Sequence, residues 1–321
     1  MRVLLTTTSY QDTPGRHHEL LEASGHEVVR QRGPLPEQQM LELVAADGGV
    51  DGILNGDDQI TRRVIEAALP RLKVLSKYGI GLDSVDVKAA TALKVPVCFT
   101  PGVNHTTVAE HTFGLLITLA KKLDRHIQDV RQGQWKRVTG VELAGKTLGI
   151  LGLGRIGKEV AMRAKAFAMQ VIAFDIYWDE PFAQQHGVFR AGSADEVVAA
   201  SDVLSLHMNL TDENRNFVNR RRIESMKPGA VVLNCSRGGL VDEQAVAEAC
   251  RQGKLGGYGG DVLAEEPMRT PHPFQDVENI VITPHIASRT GESVERQAVM
   301  ATENLLRVLR NEKPLAQANQ L

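Results

Sequence analysis

The sequence predicts an α/β protein made of two doubly wound, Rossmann-like domains with parallel sheets. Three observations predict it. Short apolar runs alternate with helical patterns, and that alternation implies parallel crossovers in open sheets. The chain has 321 residues, more than one ordinary core takes and suited to two domains. Within Thr147–Asp175, a strand pattern, a G-x-G-x-x-G turn, a helical pattern and a second strand pattern ending on an acid follow in immediate succession.

That last stretch organises the chain. The apolar run Leu148–Leu151 is too short for a helix and suits a buried parallel strand. Gly152 allows the tight turn, Gly154 lets the backbone approach a pyrophosphate, and Gly157 lets the helix pack closely on the strand. A helical pattern follows from Lys158 to Ala168, and its N-terminal N–H groups and partial positive charge suit phosphates, with Arg155 and Ile156 of the turn also expected to bind the cofactor. Asp175 follows Gly157 by 18 positions, near the roughly 20 expected of an acid that binds a ribose. Because the surrounding strands and helix are present, the glycines read as a dinucleotide site rather than an ordinary turn. A carboxylate about 4 Å from a 2′-phosphate costs about 4 kcal/mol at an effective dielectric near 20. No arginine follows in Ile176-Tyr177-Trp178 to offset it, so NAD is expected over NADP.

Taken in order, the first hundred residues offer strands at Val3–Thr7, Glu27–Arg30, Gly52–Leu54, Leu72–Ser76 and Val95–Phe99. Helical stretches fall at His17–Ser24, Pro36–Ala46, Thr61–Ala68 and Val85–Leu93. Ligands of such sheets lie beyond the carboxyl ends of strands. Three loops qualify: Thr8–Gln11, Asn55–Asp58 and Lys77–Leu82, the last with two glycines that bare backbone N–H groups for a carboxylate. Thr100-Pro101-Gly102 breaks the pattern as a crossing between domains. A single long helix is expected from about Thr107 to Val130, apolar on more than one face and therefore a domain or subunit junction.

Beyond Asp175, helices are expected at Glu180–His186, Ala194–Ala200, Asn219–Met226 and Glu243–Gln252, the last with Asp242 as its N-cap. Strands are expected at Val203–His207, Ala230–Cys235, Gly256–Val262 and Ile280–Thr283. A long amphipathic helix from Glu292 to Arg310 is expected to return to the first domain. The substrate domain is thus discontinuous, 1–101 with 288–321, around a dinucleotide domain at 102–287.

Composition narrows the partners. The formal net charge is −2, which gives no basis for binding nucleic acid or an anionic membrane. The N-terminus turns polar too soon for a signal peptide, and no apolar run approaches the roughly 20 residues of a membrane helix. Cys98, Cys235 and Cys250 form neither a disulfide framework nor a CxxC site and read as buried thiols, so a cytoplasmic location is expected. The histidines show no HxxxH or HxH spacing, and no metal site is expected.

A nicotinamide enzyme acting on a hydroxyl or carbonyl needs a proton relay, a group that orients it, and a cation for the substrate's charge. Arg237, Glu266 and His285 each follow a successive strand of the dinucleotide half. His285 suits acid/base work at neutral pH, Glu266 would fix its ring, and the fork of Arg237 fits a carboxylate bidentately. His207 also ends a strand there, without an acid or arginine beside it, and is expected to pack near the cofactor.

At these residues the chain resembles the D-isomer-specific 2-hydroxyacid dehydrogenases, and closest to them the short phosphoglycerate dehydrogenases. The resemblance rests on Gly152–Gly157 with Asp175, Met226-Lys227-Pro228-Gly229-Ala230, Asn234-Cys235-Ser236-Arg237-Gly238, Asp261-Val262 through Glu266-Pro267, and Thr283-Pro284-His285. It implies two Rossmann-like domains with a cleft between them. It implies NAD as cofactor, with His207, Cys235 and Asp261 near it and Asp261 also supporting the catalytic group. It makes His285 the acid/base paired with Glu266, and Arg237 the binder of the substrate's carboxylate and carbonyl oxygen. Lys77, Tyr78 and Gly79 would bind substrate, with Lys77 standing where a cation holds a phosphate. Homodimers through the long helix near Asn104 are implied, with Trp135 approaching the partner's site.

Asn55-Gly56-Asp57-Asp58 departs from the phosphoglycerate pattern, since two acids there would repel a phosphate. Besides 3-phosphoglycerate, the resemblance therefore leaves glyoxylate, hydroxypyruvate or a larger 2-oxo acid as substrate. Formate dehydrogenases resemble this chain with glutamine at the position of Glu266. Nucleotide-sensing corepressors on the same fold form the alternative from another class.

Overall fold

In β1 (Arg2–Leu5), Val3 and Leu5 enter one apolar cluster and Leu4 another, and all three are fully buried. A strand buried on both faces is what a parallel sheet with helices on each side requires. The computed structural model describes residues 1–321 and divides into two units, Met1–Asn104 with Arg289–Leu321, and His105–Ser288.

The first unit runs β1, α1 (Thr8–Asp12), α2 (Arg16–Ala23), β2 (Glu27–Arg30), α3 (Glu37–Ala45), β3 (Gly52–Asn55), α4 (Arg62–Ala68), β4 (Val74–Lys77), α5 (Val87–Ala92) and β5 (Val97–Cys98). Its five parallel strands lie in the order β2-β1-β3-β4-β5, so the strand order reverses between β1 and β3. The closing helix α13 (Gly291–Leu309) packs in this unit, placing Val294, Ala298, Ala301 and Leu305 in one cluster with Val3, Leu5, Leu54 and Val74.

The second unit begins with α6 (His105–Lys121) and α7 (Leu123–Arg131), then β6 (Thr147–Leu151), α8 (Arg155–Ala166), β7 (Gln170–Phe174), α9 (Glu180–His186), β8 (Val188–Arg190) and α10 (Ala194–Ala200). It continues with β9 (Val203–Leu206), α11 (Arg220–Ser225), β10 (Ala230–Asn234), α12 (Glu243–Arg251), β11 (Leu255–Gly260) and β12 (Ile280–Ile282). The order β12-β11-β10-β9-β6-β7-β8 is parallel throughout and reverses between β6 and β9. Each unit is therefore a doubly wound sheet, as expected.

Several boundaries differ for local reasons. The long helix breaks at Lys122, which takes a left-handed conformation at φ 50° and starts α7 as a separate segment. Thr8–Gln11, expected as a loop, is the short helix α1. The strand expected at Leu72–Ser76 lies two residues later in its start and ends on Lys77, whose register partner is Asn55. The edge strand β8 has no counterpart in the sequence reading, since Phe189 and Arg190 are exposed and leave no apolar run. Asp242 caps α12 as expected, accepting from the Ala245 N–H at 3.0 Å.

Candidate active site

The glycine turn sits where the order of the seven-stranded sheet reverses, the place where open α/β sheets hold ligands. Gly152 has φ 95°, and a Cβ there would meet the backbone carbon of His207 at 2.6 Å. A Cβ on Gly157 would meet the Gly152 carbonyl oxygen at 2.1 Å, so only glycine lets α8 close on the turn. A Cβ on Gly154 would meet nothing within 4 Å, leaving an open face beside the first turn of α8. No side chain caps that helix, and Arg155 is exposed. An uncapped helix N-terminus behind a bare glycine fits the pyrophosphate of a dinucleotide.

Asp175 ends β7 beside this turn and accepts from the Leu153 N–H at 2.5 Å and the Tyr177 N–H at 2.8 Å. These bonds orient the carboxylate and tie it to the glycine loop. The His207 backbone forms the opposite wall of the turn, and its Nε2 lies 2.8 Å from Ser205 Oγ. Burial pushes the His207 imidazole down to about 4, so it is a neutral group. Cys235 packs against the second unit's core, and burial raises its thiol to about 12.

The three residues expected to carry catalysis, Arg237, Glu266 and His285, follow three successive strands, β10, β11 and β12. His285 Nδ1 lies 2.8 Å from Glu266 Oε2, while Glu266 Oε1 accepts from the Leu263 N–H at 2.9 Å. Nδ1 turned to the carboxylate fixes the orientation of the imidazole. Arg237 starts a short 3₁₀ turn, donates one N–H to Ser236 O at 2.7 Å and has its own carbonyl held by Asn234 Nδ2 at 2.9 Å. Gly238 brings this loop against the one after β11, because a Cβ there would overlap the Leu263 backbone at 1.9 Å.

Asp261, expected near the cofactor and behind the catalytic group, is 1% exposed and spends both oxygens on the His285 loop. Oδ1 accepts from Thr283 Oγ1 at 2.5 Å and from the Ile286 N–H at 2.9 Å, and Oδ2 accepts from the Ala287 N–H at 2.7 Å. It therefore holds backbone. That support matters because His285 has φ 54°, a strained conformation for a residue with a Cβ. His111, which sequence spacing did not single out, completes the network: its Nε2 lies 2.8 Å from Thr283 Oγ1 and 3.5 Å from Asp261 Oδ1. No local pattern links position 111 to 261 and 283, and only the packing of α6 joins them.

In the first unit, the substrate expectations need correction. Lys77 was expected to offer a cation to a phosphate, but it is 2% exposed and its Nζ is held by Gly56 O at 2.5 Å and Asp57 Oδ1 at 2.6 Å. The reason is its place as the last residue of β4, one position inside the expected loop. Asp58 does not face a ligand either; it is fully buried and accepts from Thr6 Oγ1, the Leu35 N–H and the Gly56 N–H. The expected repulsion by two acids is thus reduced to Asp57, which is paired. The Tyr78 ring belongs to the apolar core, and its N–H donates to Asn55 O. Gly79, at φ 128°, donates to Thr100 Oγ1, which leaves Ile80 and Gly81 as the loop's open N–H groups.

Comparison with known proteins identifies the family. The family model described as D-isomer specific 2-hydroxyacid dehydrogenase, NAD binding domain, matches residues 113–287. The D-3-phosphoglycerate dehydrogenase of Methanocaldococcus jannaschii is 36% identical over 314 residues, which is 97% of this chain and 58% of that one. The glyoxylate reductase of Thermofilum pendens is 37% identical over 270 residues, covering 82% of this chain and 79% of that one. The crystal structure of the TT0316 protein of Thermus thermophilus superposes with a TM-score of 0.90 at 38% identity, covering 99% and 100% of the two chains. The chain spans little more than half the length of the phosphoglycerate dehydrogenases it matches. It belongs to the D-isomer specific 2-hydroxyacid dehydrogenase family and carries that family's NAD binding domain.

Proposed function

We propose that this chain catalyses reversible hydride transfer at C2 of a D-2-hydroxy acid with NAD as the cofactor. The observation that carries the reading is the His285–Glu266 pair at 2.8 Å, in the same unit as the glycine turn and Asp175. NAD, when bound, supplies the hydride acceptor, and its reduced form the donor. Gly152, Gly154 and Gly157 with the first turn of α8 hold the pyrophosphate, and Asp175 takes the ribose hydroxyls. In the reductive direction, protonated His285 passes the Nε2 proton to the carbonyl oxygen. Glu266 keeps the ring oriented through Nδ1. Arg237 binds the substrate carboxylate and stabilises the charge growing on that oxygen. Asp261 and His111 hold the loop that carries His285.

The substrates supported by the relatives' names are 3-phosphoglycerate and glyoxylate, with hydroxypyruvate a further member of the same chemical class. The test is NADH oxidation against a panel of 2-oxo acids, followed by His285→Ala. Oxidation by at least one acid, lost in the variant, is expected; no oxidation by any acid overturns the reading. Equal rates with NADH and NADPH would remove the role given to Asp175.

The protein is read as a cytoplasmic homodimer. Three free cysteines suit a reducing compartment. No helix is long and apolar enough to cross a membrane. The dimer reading rests on Ile127, Val130 and Trp135, exposed by 50%, 55% and 81% along α7 and the loop after it. Light scattering at micromolar concentration checks it; a monomer mass refutes it.

A further inference from the structure

The loops that carry Arg237 and Glu266 meet at one peptide of the second unit, and a third side chain holds it. A Cβ on Gly238 would overlap the Leu263 carbonyl carbon at 1.9 Å and the Ala264 nitrogen at 2.3 Å, so the turn after Arg237 is seated directly on the Leu263–Ala264 peptide. Glu266 Oε1 accepts from the Leu263 N–H at 2.9 Å. Glu243 Oε1, from α12, accepts from the Ala264 N–H at 2.8 Å.

Glu243 is the first residue of α12, whose N-terminus is already capped by Asp242. Its other oxygen, Oε2, lies 3.4 Å from His272 Nε2, and the two side chains are only 15% and 10% exposed. His272 Nδ1 accepts from the Phe274 N–H at 3.2 Å, so the ring proton sits on Nε2, toward Glu243. Phe274 belongs to the buried core of this unit. A carboxylate taken out of water needs donors for its oxygens. One donor of Glu243 is anchored to the core, and the other is the peptide on which the Arg237 and Glu266 loops meet. Neighbouring charged groups have other partners: Glu265 pairs with Arg269, Glu248 with Arg220, and Arg251 donates to Pro273 O at 2.7 Å. Asp261 and His111 brace the His285 loop itself.

We propose that Glu243 is a positioning residue of the active site: by holding the Ala264 N–H it fixes the loop that sets Glu266 against His285. Its effect on turnover rests on the dehydrogenase reading above, whereas its effect on the His285 ring does not. A bond from a carboxylate to a backbone N–H is charge-assisted and strong, and Ala264 stands two residues before Glu266. A carboxylate beside an imidazole favours the imidazolium, so a looser Glu266 leaves the His285 proton easier to lose.

The test separates the reach of Glu243 from its charge. Glu243→Asp keeps an acid in the first turn of α12 but falls one methylene short of the Ala264 N–H. Glu243→Gln loses the charge and keeps the reach. The His285 ring is titrated by NMR, its signal assigned by its loss in His285→Ala. In Glu243→Asp the titration should move to lower pH by about one unit, part of the roughly 1–3 units that an adjacent opposite charge supplies. Glu243→Gln should move it less than half as far. NADH-dependent reduction is followed with whichever of glyoxylate, hydroxypyruvate and phosphohydroxypyruvate reacts fastest. Because reduction uses the protonated ring, its alkaline limb should move the same way in Glu243→Asp, and kcat should fall about 10-fold. Asp242→Ala, which uncaps α12 and leaves the Ala264 bond in place, should lower the urea midpoint without either shift. An unmoved His285 titration in Glu243→Asp, or an equal shift in Glu243→Gln or Asp242→Ala, overturns the proposal. Wild-type protein that reduces none of these acids overturns the dehydrogenase reading, and the NMR titration still decides the role of Glu243.

Discussion

The imidazole of His285 meets the carboxylate of Glu266 through Nδ1 at 2.8 Å, and the second oxygen of that carboxylate is fixed by the Leu263 N–H. The ring is therefore oriented through Nδ1. Replacing His285 by Ala removes the proton donor of the proposed reaction and should lower kcat by about 10²- to 10⁴-fold. Glu266→Gln keeps the shape, lacks the charge and should cost less than His285→Ala. Steady-state kinetics with equal cofactor affinity in both variants would check this; an unchanged kcat in His285→Ala would contradict it.

The strained backbone of His285 depends on Asp261. Asp261→Asn replaces one acceptor oxygen with a donor amide facing backbone N–H groups, so it should destabilise the second unit by about 3 kcal/mol. The effect should reach kcat as well, because the loop that relaxes carries His285. His111→Leu removes one hydrogen bond to Thr283 and should cost about 1 kcal/mol. Urea titration of both variants measures the difference, and equal losses would argue against the network as described.

The three glycines of the turn should fail in different ways. Gly157→Ala places a Cβ 2.1 Å from a backbone oxygen and should destabilise the fold by about 1–3 kcal/mol. Gly154→Ala meets nothing within 4 Å and has an ordinary φ of −73°, so stability should change by less than about 0.5 kcal/mol. Its cost should appear in cofactor affinity, measured by calorimetric titration with NAD. Tight binding by Gly154→Ala would show that the pyrophosphate does not pass over this position.

Stability should depend on pH through His207. Burial lowers its folded-state value to about 4, while an exposed histidine titrates near 6.5. The unfolded chain therefore binds the proton first, so the contribution is complete above about 6.5 and is lost as pH falls toward about 4. Its ceiling is about 3 kcal/mol. His207→Asn should flatten the corresponding part of the stability curve between pH 7 and 4.5. An identical curve in wild type and variant would contradict this.

Legibility from sequence followed the range of the interactions. Glu180–His186 and Ala194–Ala200 emerge with the boundaries read from their patterns, because Asp179 and Ser193 cap them locally. The break at Lys122 escaped the sequence reading because the apolar pattern runs on across it, while the chain turns through one left-handed residue. Lys77 and Asp58 were misassigned for a related reason. A residue at a strand end looks like a loop residue until its register is known, and the pairing of Asn55 with Lys77 decides that both are buried.

The amino-acid sequence by itself determined the doubly wound class, every strand but the edge strand β8, the glycine turn with Asp175, and the three chemical groups Arg237, Glu266 and His285. These are set by local periodicity, by steric demands at single glycines and by residue chemistry at strand ends. Tertiary structure alone decided which carboxylate serves which partner. Asp261 became the brace of the His285 loop, Asp58 the tie between two loops, and Asp57 the partner of Lys77. Such choices depend on which oxygen reaches which donor within about 3 Å, and chain spacing does not encode distances between residues brought together by folding.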